Sequence, residues 1–344
     1  MPGVPHQTAD GASEEDERAP LISRAPPPEN VPPPIFAEGG RRGWLSVLGA
    51  FGVQFSTFGY ATSYGRLRAW IGSIQTWALL STSIVSGPLA DRFGLQVVLW
   101  PGTAVYVLAV LMVSFCAEYW HFLLCQGLLL GISAGMIFTD AGRRSGPLIL
   151  LSAFRIPVYT LQVCAMVFLF LSVFTTYVFV AEYGVRNGMP KELATYMFAI
   201  MNAGSLISRT LGGSASLCLG PFNVMVLAAF LAAISLFSWL GITSVPALVV
   251  FAAAYGALSG VLIGIMIATL GHSAPHPSQI ATVVGMASGI MGTAALTGTP
   301  IAGALITSDG DYSRAILFSA TAMTIGAFLF LAARLAQSRK QLIV

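Results

Sequence analysis

The chain has 344 residues, of which 56% are hydrophobic and 9% charged, against about a quarter charged in a soluble domain. A net charge of +3, carried by seventeen Lys and Arg scattered at the ends of apolar blocks, excludes a nucleic-acid binder, which needs a basic patch with interleaved aromatics. The four cysteines, Cys116, Cys125, Cys164 and Cys218, lie in or beside apolar blocks without paired spacing, so neither a disulfide framework nor a metal site is indicated.

Residues 1–40 are rich in Pro, Gly, Ala and acid, including Glu14, Glu15, Asp16 and Glu17. Such a stretch cannot bury enough apolar surface to fold and is expected to be a disordered tail. It lacks the basic start and apolar core of a signal peptide. A spanning helix needs about 20 mostly apolar residues, and ten segments qualify: 44–64, 70–90, 96–116, 119–138, 157–180, 193–213, 222–242, 246–270, 279–306 and 314–335. The expected fold class is therefore an all-α membrane protein, a polytopic helical bundle. In the ninth segment, Thr299-Pro300 is expected to break or kink the helix.

Ten spans put both termini on one side. That side collects twelve Lys and Arg and the other five: Arg66, Arg68, Arg186, Lys191 and Arg314. The positive-inside rule then places both termini in the cytoplasm.

Two helices carry glycines four apart: Gly127, Gly131 and Gly135 in the fourth, Gly256, Gly260 and Gly264 in the eighth. Each stripe lies on one helix face, where it admits either a neighbouring backbone or a substrate. Gly131-Ile-Ser-Ala-Gly135 matches a nucleophile-elbow pattern, but that motif requires a strand–turn–helix setting, and Ser133 sits inside an apolar helical block. His272 and His276 are spaced four apart, with Pro275 and Pro277 disrupting the helix that would align them. Neither a dinucleotide-binding glycine motif nor a Walker loop is present. No enzyme activity, cofactor or ATP-driven step is expected.

Between the second and third segments runs Gly87-Pro-Leu-Ala-Asp91-Arg92-Phe-Gly94. It resembles the signature loop of the major facilitator superfamily, and a counterpart with its glycines but no acid stands at Gly213-Ser-Ala-Ser-Leu217-Cys-Leu-Gly220. Gly87, Asp91, Arg92 and Gly94 are expected to form a gating latch. Glu38-Gly39-Gly40-Arg41-Arg42-Gly43-Trp44, Trp70-Ile-Gly-Ser-Ile-Gln75, Met201-Asn202-Ala-Gly-Ser205, Gly220-Pro221-Phe222-Asn223 and Gly298-Thr-Pro300-Ile-Ala-Gly303 look like the fungal branch of the monocarboxylate-porter family. The resemblance covers residues 38–335. It implies a fold of two six-helix halves, repeats related by a pseudo-two-fold.

Against that pattern the fifth and sixth helices are missing. The expected organisation is a cytoplasmic tail (1–40), an incomplete four-helix N-terminal bundle (41–140), a cytoplasmic loop (141–156), a six-helix C-terminal bundle (157–336) and a second cytoplasmic tail (337–344). The family resemblance implies a secondary transporter that moves a small organic acid or carboxylate-bearing metabolite, with proton coupling open and the plasma membrane as its default location. Export of a secondary metabolite fits equally. A truncated, non-transporting remnant is the competing reading.

Ionisable groups inside a membrane mark function. The spans hold no Asp or Glu and one deep cation, Arg209. It serves either to grip a carboxylate or to anchor the helix by snorkelling to the interface. Neutral candidates for a cavity lining are Gln54, Gln75, Gln126, Gln162 and Asn202, with Tyr60, Tyr177 and Trp239 shaping it. The expected substrate-binding set is Arg209, Asn202, Gln126, Gln75 and Tyr177.

Overall fold

Inside a bilayer no water is available for backbone N–H and C=O groups, so a spanning chain must pair them within helices or a closed barrel. This chain uses helices. The computed structural model describes residues 65–93, 95–113, 115–116, 118–137, 149–276, 279–307 and 310–337. Among them there are nine long helices and no strand. They are α1 (Gly65–Phe93), α2 (Leu95–Val113), α3 (Tyr119–Ile137), α4 (Pro157–Arg186), α5 (Lys191–Leu219), α6 (Pro221–Trp239), α7 (Val245–His272), α8 (Ile280–Leu305) and α9 (Ser313–Gln337). Each falls on one of the ten expected spans. The tenth, 44–64, lies outside the described residues, as do Gln54 and Tyr60. Six of the nine are long and apolar enough to cross a membrane; α1, α5 and α8 carry more Gly, Ser and Thr.

The helices divide into two similar sets. α1 and α5 each have 29 residues. Each is followed by a 19-residue helix, α2 and α6. The third member of each set, α3 or α7, packs on the first. The glycine stripes are the reason. A Cβ on Gly131 would sit 2.7 Å from both Ala78 Cβ and the Gln75 carbonyl of α1. In the second set, a Cβ on Gly256 would meet the Met201 backbone of α5, and one on Gly260 would meet Ser205 and Ser208. Both stripes bring two helix backbones together, as small residues do in membranes.

α4 and α9 pair closely, with α8 against α4 and α6 against α9. The core runs along this group: Tyr159, Met166, Leu169, Phe179, Met225, Leu236, Trp239 and Phe330 are almost wholly buried. α8 also packs on α1, joining the two sets, and a Cβ on Gly292 would lie 3.2 Å from Leu80 Cβ.

Three sequence expectations need correction. The segment Gly87–Gly94 is not a loop over most of its length. α1 continues through Phe93, because Leu89-Ala-Asp-Arg-Phe contains no helix breaker before Gly94. The side chains of Asp91 and Arg92 lie outside the described residues, and so does Gly94. In the second set, Gly213–Leu219 is also helical, and the turn falls at Gly220, whose φ of 83° suits glycine. Second, of the break or kink expected at Thr299-Pro300 the break is absent, since α8 runs on to Leu305 with Pro300 inside it; membrane helices tolerate an interior proline because neighbours re-satisfy the freed carbonyl. Third, α3 is not uniformly α-helical, since Leu123–Leu129 forms a wider π-helical stretch. Such insertions occur often at functional sites.

Candidate functional site

The expected binding residues separate into two groups on different helix pairs. Gln75 and Gln126 are buried where α1 meets α3, with Gln126 in the π-helical stretch. Tyr177, Asn202 and Arg209 gather where α4, α5 and α7 meet.

This second group follows from helix periodicity. Phe198, Asn202, Ser205 and Arg209 recur at three- or four-residue spacing and so share one face of α5. That face turns toward α4: the Phe198 ring meets Tyr177 edge-on at 5.8 Å. From α7, Ser259 approaches the same ring, its Oγ 2.8 Å from the Tyr177 hydroxyl. Ser205 is buried nearby, within hydrogen-bonding influence of that hydroxyl.

Arg209 lies within electrostatic reach of the Tyr177 hydroxyl. Its Nε is buried with no hydrogen-bond partner among the described residues. Gly264 makes room for it, because a Cβ there would be 3.3 Å from Arg209 Cγ. The last glycine of the α7 stripe therefore accommodates a side chain, whereas the first two accommodate backbone. A buried donor on a cation is costly to leave unpaired, and a guanidinium fork is matched to a carboxylate. Asn202 Nδ2 donates to the Phe198 carbonyl of its own helix at 3.1 Å.

Sequence reasoning missed the hydroxyls around these residues. Tyr255 packs against Tyr177 with ring centroids 6.4 Å apart. The hydroxyls of Tyr255, Ser172 and Thr176 are buried without hydrogen-bond partners among the described residues. No sequence signal sets them apart, since Ser and Thr occur on nearly every helix of this chain. Two further expected positions take structural roles. Gln162 Oε1 accepts from Ser273 Oγ, and Trp239 stacks in the α6–α7 core. Ser133 Oγ donates to the Leu130 carbonyl of its own helix at 3.0 Å, and His272 Nδ1 lies 2.8 Å from the Ala268 carbonyl. Arg334 Nε donates to Asn223 Oδ1 at 2.6 Å, tying the end of α9 to the start of α6.

A bundle of apolar helices that carries a half-buried cation between two of them fits a solute carrier. Comparison with characterised proteins decides the family. The aspyridones efflux protein of Emericella nidulans is 30% identical over 394 aligned positions, covering 90% of this chain and 80% of that protein. An MFS-type transporter of Aspergillus niger is 28% identical, covering 83% of this chain and 88% of the relative. The agnestins efflux protein of Paecilomyces divaricatus is 23% identical over 94% of this chain and 96% of its own length. This chain belongs to the major facilitator superfamily. No family model matches it. This superfamily member is a multi-pass membrane transporter of a small-molecule solute, and six of its nine described helices are long and apolar enough to be spans.

Proposed function

We propose that this transporter carries a small organic acid or carboxylate-bearing metabolite by alternating access, in the manner of the monocarboxylate porters. The observation that carries the reading is Arg209, a half-buried cation packed against α7 whose Nε has no hydrogen-bond partner among the described residues. Tyr177, Ser259 and Ser205 supply hydroxyls beside it. A carboxylate would satisfy the guanidinium. Asn202 lines the same face, and Gln75 and Gln126 would face the solute from the first set. Gly87, Asp91, Arg92 and Gly94 would form the latch that holds one state closed. Two relatives are named for efflux of metabolites, which supports export as the direction. We place both termini in the cytoplasm and the protein in the plasma membrane, with bundles at 41–140 and 157–336. The acids carried by the described helices, Asp91, Glu182 and Glu192, stand near helix ends, so a proton coupled to transport would enter on the solute.

The test is counterflow of labelled carboxylates in proteoliposomes. Arg209→Gln should reduce flux about tenfold or more, the worth of a charge-assisted hydrogen bond, and Arg209→Lys should keep part of it. Equal flux in wild type and Arg209→Gln would reject the carboxylate site.

A second reading, the non-transporting remnant, is favoured by one feature. The aligned 394 positions exceed the chain's own 344 residues, so the relative has segments that this chain lacks. Residues 138–150, between α3 and α4, are fewer than the about 20 that one span requires. The family's fifth and sixth helices would fall there. Absence of flux for every solute tried would favour this reading.

A further inference from the structure

α4 and α7 meet along a seam of hydroxyl groups. Tyr177 of α4 and Ser259 of α7 are joined directly, Oη to Oγ, at 2.8 Å. Beside that bond the pattern changes. Ser172 and Thr176 stand four apart on α4 and so share one face, as Tyr255 and Ser259 do on α7. Ser172, Thr176 and Tyr255 are wholly buried. Ser172 and Thr176 both lie within hydrogen-bonding influence of the Tyr255 hydroxyl. Yet none of the three hydroxyls has a hydrogen-bond partner among the described residues.

A serine or threonine inside a helix often bonds back to a carbonyl of its own preceding turn. Their neighbours do so: Thr175 donates to the Leu171 carbonyl at 3.4 Å and Ser259 to the Gly256 carbonyl at 3.0 Å. Ser172 and Thr176 forgo that bond. The Tyr255 ring is held by Phe251, stacked at 5.8 Å, and by Tyr177 at 6.4 Å, which keeps its hydroxyl beside them.

A buried hydroxyl without a partner is costly. Native proteins leave few such groups, so three at one place call for a ligand. Water offers two donors and two acceptor sites, and each hydroxyl offers one donor and two. An ordered internal water typically makes about three hydrogen bonds. One water therefore suits three hydroxyls on two helices. Chloride would accept from all three as well, but none of them carries the opposite charge that a buried ion needs.

We propose that Ser172, Thr176 and Tyr255 form a binding site for one structural water molecule, which bridges α4 to α7 beside the direct Tyr177–Ser259 bond. The two links together fix α4 against α7 and so set the position of Tyr177 next to Arg209. The site does not depend on which solute the central group takes.

The experiment is thermal unfolding of the full-length chain in detergent. It compares wild type with Ser172→Ala, Thr176→Val, Tyr255→Phe and the Thr176→Val/Tyr255→Phe pair, none of which adds bulk. Each single loss should lower the midpoint by about 2 °C, the scale of one hydrogen bond. The pair should fall by less than the sum of its singles, because both hydroxyls act through the same water. Hydroxyls that are simply unpaired would give the reverse sign, since each substitution then removes a desolvated polar group; a raised midpoint, or strict additivity in the pair, would overturn the proposal. Exchanging chloride for gluconate should leave the wild-type midpoint unchanged. A fall that the pair variant does not share would assign the site to an anion and overturn the water. A wild-type structure at a resolution that shows ordered water is the second measurement, and it needs no variant to fold. One density peak within hydrogen-bonding distance of all three hydroxyls is expected. Direct hydroxyl–hydroxyl bonds with no third atom between them would overturn the site.

Discussion

Arg209 stands out in the sequence because a cation inside an apolar block is rare and costly. What the sequence does not give is its surroundings. Tyr177, Ser205 and Ser259 come from three helices, and nothing in their spacing says that these helices meet. Serines are especially opaque, since most bond a carbonyl of their own helix, as Ser259 does with Gly256 at 3.0 Å. The geometry makes specific demands. Tyr177→Phe removes the hydroxyl bonded to Ser259 and should cost about 1 kcal/mol, or roughly fivefold in solute KM in the counterflow assay. Gly264→Leu places bulk against the Arg209 stem and should mimic loss of the cation in that assay while the protein remains folded. At the α9 start, the hydrogen bonds from Ser313 hold the Asp311 carboxyl below its ordinary value. Its contribution to stability is therefore present above the unfolded pKa of about 4 and is lost as pH falls through the lower folded value. Thermal unfolding followed between about pH 5 and pH 2.5 should show a steeper loss in wild type than in Asp311→Asn.

The elements were largely legible. Apolar length located nine of the described helices, and the four-residue glycine spacing marked two interfaces. Glycine spacing alone left open what those faces receive. The structure gives backbone for Gly131, Gly256 and Gly260, and the Arg209 stem for Gly264. Valine at Gly131 or Gly256 should therefore destabilise by about 1–3 kcal/mol, the cost of overpacking, seen as a lower thermal midpoint in detergent. The end of α1 was misread because a signature associated with a loop suggested one, whereas Leu89–Phe93 has good local helix propensity. The matched lengths of α1 with α5 and of α2 with α6 show where the motif sits. In both sets its final glycine, Gly94 or Gly220, separates a long helix from a short one. If Asp91 latches this end, Asp91→Ala should change solute flux without changing the thermal midpoint. Unchanged flux would end the latch argument.

At the scale of the whole molecule, the question is whether the chain is complete as a transporter. α8 of the second set packs on α1 of the first. In a fold of two related halves, the first-set counterpart of α8 would pack on α5, the equivalent of α1. The space available between α3 and α4 has no room for it. Such a partner would lie against the exposed side of α5. Gly212 packs on Val261, but Gly213 is exposed, and a Cβ there would meet nothing within 4 Å among the described residues. Glycine inside a helix costs about 0.5–1 kcal/mol relative to alanine, and among the described residues Gly213 gains no close contact in return. The same substitution should therefore have opposite signs in two backgrounds. In the 344-residue chain, Gly213→Ala should raise stability by about 0.5–1 kcal/mol. In a chimera that takes the corresponding segment of the aspyridones efflux protein between residues 138 and 150, it should lower stability if the added helix docks against α5. Sequencing the mature transcript across the codons for Ala141–Gly146 tells which background the cell makes. Should Gly213→Ala stabilise both forms, α5 has no such partner, and the 344-residue chain must be judged as a transporter by its own flux.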